Sequence, residues 1–517
     1  MKVELGLGVV LVCVFVASSS QMREERQPPH GAQAIGDNAL SKGRAATGAR
    51  SAKPDNVKCA LPTSEEAVRL QPHSAQAHYN LGVARVCAQQ LSAGAAEFRL
   101  ALQYQPSMTM AHNSLGAAYM DMGKSAEAEI EFREALRLDP RLAPALGNLG
   151  MIRANKGDNA GAEKLFREVI EDDPNYARGH TNLALILARQ QRFTEAEVEA
   201  DQALKLAPED ATALAAAGGV KDMLGKSAEG AASLRRAVAL APQSAVTHLD
   251  LGMVLADGYD LAGALTENDE AVRLAPGSTL AHLNRGRVLL DLGRNAEAKP
   301  ELEIACRIAP RMPEPFFFLA VIEKQASHYK QAAALLQTVV QLQPRNATAW
   351  YLLGQSLEHT SQTQAAIAAW KQAVEIQPDY SQALWSLARA LQSTDPDQAA
   401  RLMARYSDVQ KKRDIVDQAG TLGNDALAAG AAHDWPEAIR QFQKAIEVCG
   451  DRAIKADLHK KLGLTDCQMG EIDNGEKELR LAQVLKPADP DIERALGRIA
   501  LARTKRVASH PDAEKAH

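Results

Sequence analysis

From residue 75 onward, apolar residues recur at three and four positions, the period of a helix that buries one stripe. In the stretch from Thr109 to Leu142 the first stripe is Leu115, Ala118, Tyr119 and Met122. Gly123 follows and can take the left-handed conformation that ends a helix. A second stripe runs through Ala128, Phe132, Ala135 and Leu136, and Pro140 stops it. Proline lacks an N–H and clashes with the preceding turn. The pattern predicts two helices joined by a short turn. One such pair cannot bury its stripe alone, so pairs must stack.

The same beat runs along most of the chain. Prolines fall at Pro72, Pro106, Pro140, Pro174, Pro208, Pro242, Pro276, Pro310, Pro344 and Pro378, each 34 residues after the last. Gly157, Gly225, Gly293 and Gly470 take the place of Gly123 in their units. Ten units run in register from Ala75 to about Asp414, after a half-unit ending at Pro72. The tenth decays in a loop at Ser393-Thr394-Asp395-Pro396. A second block opens at Asp434-Trp435-Pro436, an N-cap aspartate with proline in the first turn. A last unit, shifted off the ruler, covers Leu462, Gly463, Gly470, Ala482 and Pro487.

Leu115, Gly116, Tyr119, Ala128, Phe132, Ala135 and Pro140 occupy the seven positions that best define the tetratricopeptide repeat (TPR), which this unit strongly resembles. Leu149, Gly150, Ala162, Phe166 and Pro174 repeat most of the set in the next unit. The family's first position, usually Trp, is His112 here but Trp350 in a later unit, followed by Leu353, Gly354, Ala366, Ala373 and Pro378. The resemblance covers roughly residues 59 to 490. It implies an all-α superhelix, a solenoid of about twelve helix-turn-helix repeats whose concave groove binds protein or peptide partners. Trp350 is expected in the core between helices. The expected organisation is 1–20 signal peptide, 21–58 flexible linker, 59–393 main array, 394–490 divergent block and 491–517 capping helix with polar tail.

Composition agrees with that reading. Aromatics make up 4% of the 517 residues, so the core must be mostly Ala, Leu and Val. A net charge of −5 offers no basic footprint, so nucleic acid is not an expected partner. No window after residue 20 carries 18 consecutive apolar residues, so no membrane span is expected in the mature chain. At the start, Lys2 precedes an apolar run from Leu5 to Ala17 and then Ser18, Ser19 and Ser20, the parts of a secretory signal. The expected location is extracytoplasmic, periplasmic or secreted, with an uncleaved membrane anchor as the alternative. Val12 before Cys13 departs from a lipoprotein signal.

Several residue sets are candidates for chemistry. His78, His112, His180, His248 and His282 share the first signature position, but successive units lie about 10 Å apart, too far to converge on one metal. Packing in the core or at the groove edge is expected of them, with no metal and no cofactor. Asn80, Asn148, Asn182 and Asn284 share another position, with Asn113 one residue earlier in its unit. The resemblance places this position on the groove, where a similar asparagine ladder in the family holds extended peptide by its backbone. Ser114, Ala216, Asp250 and Phe318 interrupt it. Tyr79, Arg178, Arg189, Arg287, Tyr351, Trp385 and Arg389 join the expected peptide-binding groove, since interfaces favour aromatic and Arg residues. The carboxylate clamp of chaperone-binding members is absent, its first positions reading Tyr79 and Val83.

No metalloprotease, P-loop, nucleophile-elbow, dinucleotide or haem motif occurs, so no enzyme is expected. The expected function is a non-catalytic scaffold; the alternative is an accessory subunit of an envelope secretion, polysaccharide-export or outer-membrane assembly complex. Leaving Cys13 aside, five cysteines remain, so at least one stays unpaired. Cys59 and Cys87 fall at facing ends of antiparallel helices and form the one expected disulfide. Cys449 and Cys467 lie on the order of 16 Å apart at 1.5 Å per helical residue, and Cys306 falls on a buried helix face.

Overall fold

The computed structural model describes residues 60–487 and 489–509, and among these the chain is all helix, with 25 α-helices and no strand. The expected signal, the linker, Cys59 and the polar tail lie outside the described residues. The helices fall into two compact units, one ending at Ile322 and one starting at Glu323.

The first unit holds α1 (Ala60–Leu70), α2 (Ala75–Cys87), α3 (Leu91–Tyr104), α4 (Thr109–Asp121), α5 (Ser125–Leu138), α6 (Ala143–Asn155), α7 (Asn159–Asp172) and α8 (Ala177–Arg189). It continues with α9 (Phe193–Leu206), α10 (Ala211–Met223), α11 (Ser227–Leu240), α12 (Ala245–Asp257), α13 (Leu261–Leu274), α14 (Thr279–Asp291), α15 (Asn295–Ile308) and most of α16 (Pro313–Gln325). The second unit holds α17 (Tyr329–Leu342), α18 (Ala347–His359), α19 (Thr363–Ile376), α20 (Ser381–Leu391), α21 (Pro396–Ala431), α22 (Trp435–Val448), α23 (Arg452–Met469), α24 (Ile472–Leu485) and α25 (Pro490–Ser509). Even-numbered helices up to α20 are the first, or A, helix of each pair; the odd-numbered ones from α3 to α19 are the second, or B.

The punctuation read from the sequence is what the backbone obeys. Ser74, Asp210, Ser244, Ser278 and Asn346 cap A helices by accepting hydrogen bonds from backbone N–H groups of the first turn. Asp434 caps α22 in the same way, with Pro436 in the first turn. Gly123 turns left-handed at φ 74° between the two helices of its pair. Within a pair the backbones come close: a Cβ added at Gly116 would stand 2.7 Å from the Phe132 ring and 3.1 Å from the Ala128 carbonyl.

Two expectations change. Trp350 is only half-buried, with its indole N–H on the Pro344 carbonyl at 2.9 Å. The aromatic that fills the pair is Trp370 on α19, fully enclosed at 0% exposure, where α3, α5 and α7 carry Phe98, Phe132 and Phe166. At the first family position the long Trp350 side chain reaches the preceding loop, whereas Leu214 and Leu384 in the same place are fully buried. The second change is α21: the tenth unit was expected to end near Asp414, but a single helix of 36 residues runs through that point. The ruler's next proline would fall at residue 412, which is Lys412, so nothing stops the B helix from running into the following A helix.

One repeat carries a flaw. Asn268 on α13 stands where the flanking repeats have Leu234 and Leu302, and it is 0% exposed. Neither its Oδ1 nor its Nδ2 has a hydrogen-bond partner. A buried amide with both ends unmet is destabilising, so Asn268→Leu is expected to raise stability by about 1–3 kcal/mol. Urea denaturation of the full chain reads this; a lower midpoint in the variant would show that the amide is satisfied in solution.

Candidate interaction surface

The wall open to a partner is built from A helices. In the first unit consecutive A helices pack on one another, α8 on α10 and α12 on α14 among them, and no two B helices pack comparably. A stack crowded on one side and spread on the other curves, with the crowded side inward.

The expected ladder sits at this inner level, deeper than anticipated. Asn113, Asn148, Asn182 and Asn284 are 0–7% exposed. Asn148 Nδ2 donates to Asn113 Oδ1 at 3.2 Å, joining α6 to α4. A Cβ placed on Gly147 of α6 would lie 3.7 Å from Asn182 Nδ2, so α8 presses this amide against its neighbour. The asparagines line the seam between A helices. Asn80 on α2 is the exposed member, and its Oδ1 accepts from Gln76 Nε2 at 2.9 Å. Asp250 takes the ladder position on α12 at 1% exposure, with Oδ1 unbonded. Burial pushes its carboxyl up to about 8.

Around the seam in the first unit, Arg178 is exposed and Arg189 and Arg287 are half-buried. Tyr79 lies with its ring 5.7 Å from Phe98, and its hydroxyl accepts from Ser114 Oγ at 3.4 Å. In the second unit Tyr351 packs 5.2 Å from Tyr380 and accepts from Gln355 Nε2 at 2.6 Å. Trp385 on α20 is 41% exposed. The Arg389 guanidinium sits 4.9 Å over its ring and pairs with Glu358 at 2.5 Å. This aromatic–cation surface is held in place before any partner arrives, which lowers the entropy cost of using it.

The histidines do not gather. Each pairs with a glutamate on the B helix of its own repeat, Nδ1 to Oε2: His78–Glu97 and His112–Glu131 at 2.7 Å, and His180–Glu199, His248–Glu267 and His282–Glu301 at 2.6 Å. His459–Glu478 in the second unit also spans 2.6 Å. Among the described residues no group of three or more His, Cys, Asp and Glu could hold a metal ion, and no helix is long and apolar enough to cross a membrane. Cys87 is exposed at the end of α2; its expected partner Cys59 lies outside the described residues. Cys449 and Cys467 are free thiols, and Cys306 is half-buried, its thiol pushed up to about 11 by burial.

The glutamates were missing from the expected set. Their signal is in the sequence all the same: every one of them stands 19 residues after its histidine.

Models of the tetratricopeptide repeat match residues 148–211, 223–279, 249–313 and 319–381, and a second such model matches residues 110–142. Among solved structures, PilF of Pseudomonas aeruginosa is 20% identical over 42% of this chain and 99% of its own, with a TM-score of 0.38. A tetratricopeptide repeat protein of Parabacteroides merdae is 15% identical over 49% of this chain and 99% of its own, with a TM-score of 0.38. The APC/C hetero-tetramer Cut9–Hcn1 gives 12% identity, coverage of 86% and 93%, and a TM-score of 0.35. No curated protein sequence matches the chain. Paired helices with their glycine and proline punctuation, and the repeat models that fall on them, place the chain in the tetratricopeptide repeat family, whose arrays are protein-interaction scaffolds.

Proposed function

We propose that the chain works outside the cytoplasm as a scaffold that takes a partner's extended peptide or helix along the inner wall of its A helices. The wall itself carries this reading. It carries asparagine amides at one recurring position, on α6, α8 and α14, each 4–7% exposed. An amide both donates and accepts, so it pairs with a peptide backbone whatever the sequence. In the second unit, Trp385 and Arg389 supply the anchor type that dominates interface energies. The apolar run from Leu5 to Ala17 behind Lys2 supports export.

Proximity labelling from the full chain in its native host would supply the partner for titration. Replacing Asn148 and Asn182 together by Ala is expected to weaken that partner by about 1–3 kcal/mol with helicity unchanged, because buried hydrogen bonds to the peptide are lost. Trp385→Ala, at an exposed site, is expected to weaken binding without touching the seam. Affinities equal to wild type in both variants would sink the groove reading.

A further inference from the structure

Histidine and glutamate come and go together in this chain. The six repeats that open on a histidine all carry glutamate 19 residues later. The repeats that open on Leu146, Leu214, Phe316, Trp350 and Leu384 carry no acid there. At the same distance they have Leu165, Ser233, Leu335, Ala369 and Met403. The pair, and not either residue alone, is the unit that was kept.

Its hydrogen bonds explain why. In the five pairs of the first unit, Nε2 lies 3.0–3.2 Å from the carbonyl of the proline six residues earlier. Trp350 puts its indole N–H on the equivalent carbonyl, that of Pro344. An indole nitrogen can only donate, so Nε2 in the same place is a donor and carries a proton. A neutral imidazole has one N–H. Its Nδ1 would then turn a lone pair toward a carboxylate oxygen 2.6–2.7 Å away. A contact that short holds a proton between its atoms. Both contacts of a clasp are met together only when a proton sits between Nδ1 and the carboxylate as well as on Nε2. Each pair also clasps three parts of the fold: its A helix, its B helix and the loop that closes the preceding repeat.

We propose that these clasps make the pairing of A and B helices within the histidine repeats of the first unit proton-dependent, so that those repeats tighten on taking protons and loosen as pH rises.

The surroundings divide the clasps into two kinds. Glu97 also meets Arg85 at 3.2 Å, and Glu301 meets Arg285 at 2.5 Å, so those two glutamates have a permanent cation beside them. The Tyr104 ring stacks on His78 at 5.6 Å, and Arg285 is shared with Asp269 at 2.6 Å. His112, His180 and His248 have no arginine in the clasp. His112 faces Glu131 and, farther off, Glu134, which Arg137 holds at 2.7 Å. His248 faces Glu267 and feels Glu270, which Arg273 holds at 2.5 Å. His180 faces Glu199. The hydrogen bond to Glu131, more than any other influence, holds the His112 imidazole above its ordinary 6.5, against the opposing effect of burial. A value raised by folding adds stability that is complete below 6.5 and is lost as pH climbs through the folded value. Repeats contact only their neighbours, so three repeats weakened in this way add along the stack.

The test replaces Glu131, Glu199 and Glu267 together by Gln in the full chain carrying Asp250→Asn, which silences that buried carboxyl's own pH response. A glutamine amide can donate to a neutral Nδ1, so the clasp survives without its extra proton. Urea midpoints and scattering radii are read at about pH 6 and about pH 9, on either side of histidine titration. The background chain is expected to lose midpoint and expand at the higher pH, and the triple variant to show less than about half of either change. A background chain that stays level, or a triple variant that follows it fully, overturns the proposal. Should the triple variant fail to fold, nitrogen-15 histidine spectra of the unaltered chain at neutral pH decide. Two protonated ring nitrogens at His112, His180 and His248 support the clasp, and a single one overturns it.

Discussion

Trp370→Ala is expected to destabilise the second unit by about 3–5 kcal/mol, the cost of emptying a fully buried aromatic site. Its ring is wholly enclosed and lies against Gly354, and its Nε1 donates to the Tyr351 carbonyl at 3.2 Å. Gly354 has no side chain to move into the space, so collapse is limited and the cavity persists. Trp350→Ala provides the contrast, at about 1–2 kcal/mol, since that ring is half-buried and loses mainly its bond to the Pro344 carbonyl. Circular dichroism against urea, with hydrogen exchange of α18 to α20, separates the two. Equal costs would place Trp350 in the core after all.

The second large effect belongs to Asp250. Burial raises its carboxyl from 3.8 to about 8, so the folded chain holds a proton that the unfolded chain releases. Its contribution is therefore intact below pH 3.8 and erodes as pH rises from there to about 8. At 1.36 kcal/mol per pH unit the loss at neutral pH reaches an upper bound of about 4 kcal/mol. Asp250→Asn is expected to stabilise the chain strongly at pH 8 and little at pH 4, with much of the gain gathering below the range in which histidines titrate. A pH-independent gain would mean that the carboxylate finds a counter-charge in solution.

What is legible in the sequence is what acts locally. Gly123, Gly157, Gly225, Gly293 and Gly470 all turn left-handed, at φ 74–90°, as their place between two stripes predicts. Gln89, Gln191, Tyr259, Ser327, Ser361 and His433 turn the same way at φ 60–65° with no glycine to announce it. There the packing of the pair imposes the turn, and the residue accepts a strain of about 1 kcal/mol. The depth of the asparagines could not be read, because it depends on how closely the next A helix approaches. The Trp350 position misleads for a related reason: a large aromatic suggests core, but its place at the mouth of the pair leaves one edge in solvent. The glutamate partners lie a helix away, beyond any window of local periodicity, and show only when repeats are compared with each other.

The continuous helix α21 has a consequence for how such a chain can change by descent. Before α21 every pair closes at a proline, so a genetic crossover between two of those repeats removes or adds a whole folded piece. Between Leu402 and Ala419 no residue of α21 is buried, yet every backbone group there belongs to an unbroken helical ladder. A crossover at Lys412 would leave about four N–H and four C=O groups orphaned at the joint. Copy number can therefore drift freely on either side of α21, while the boundary inside it is inherited whole.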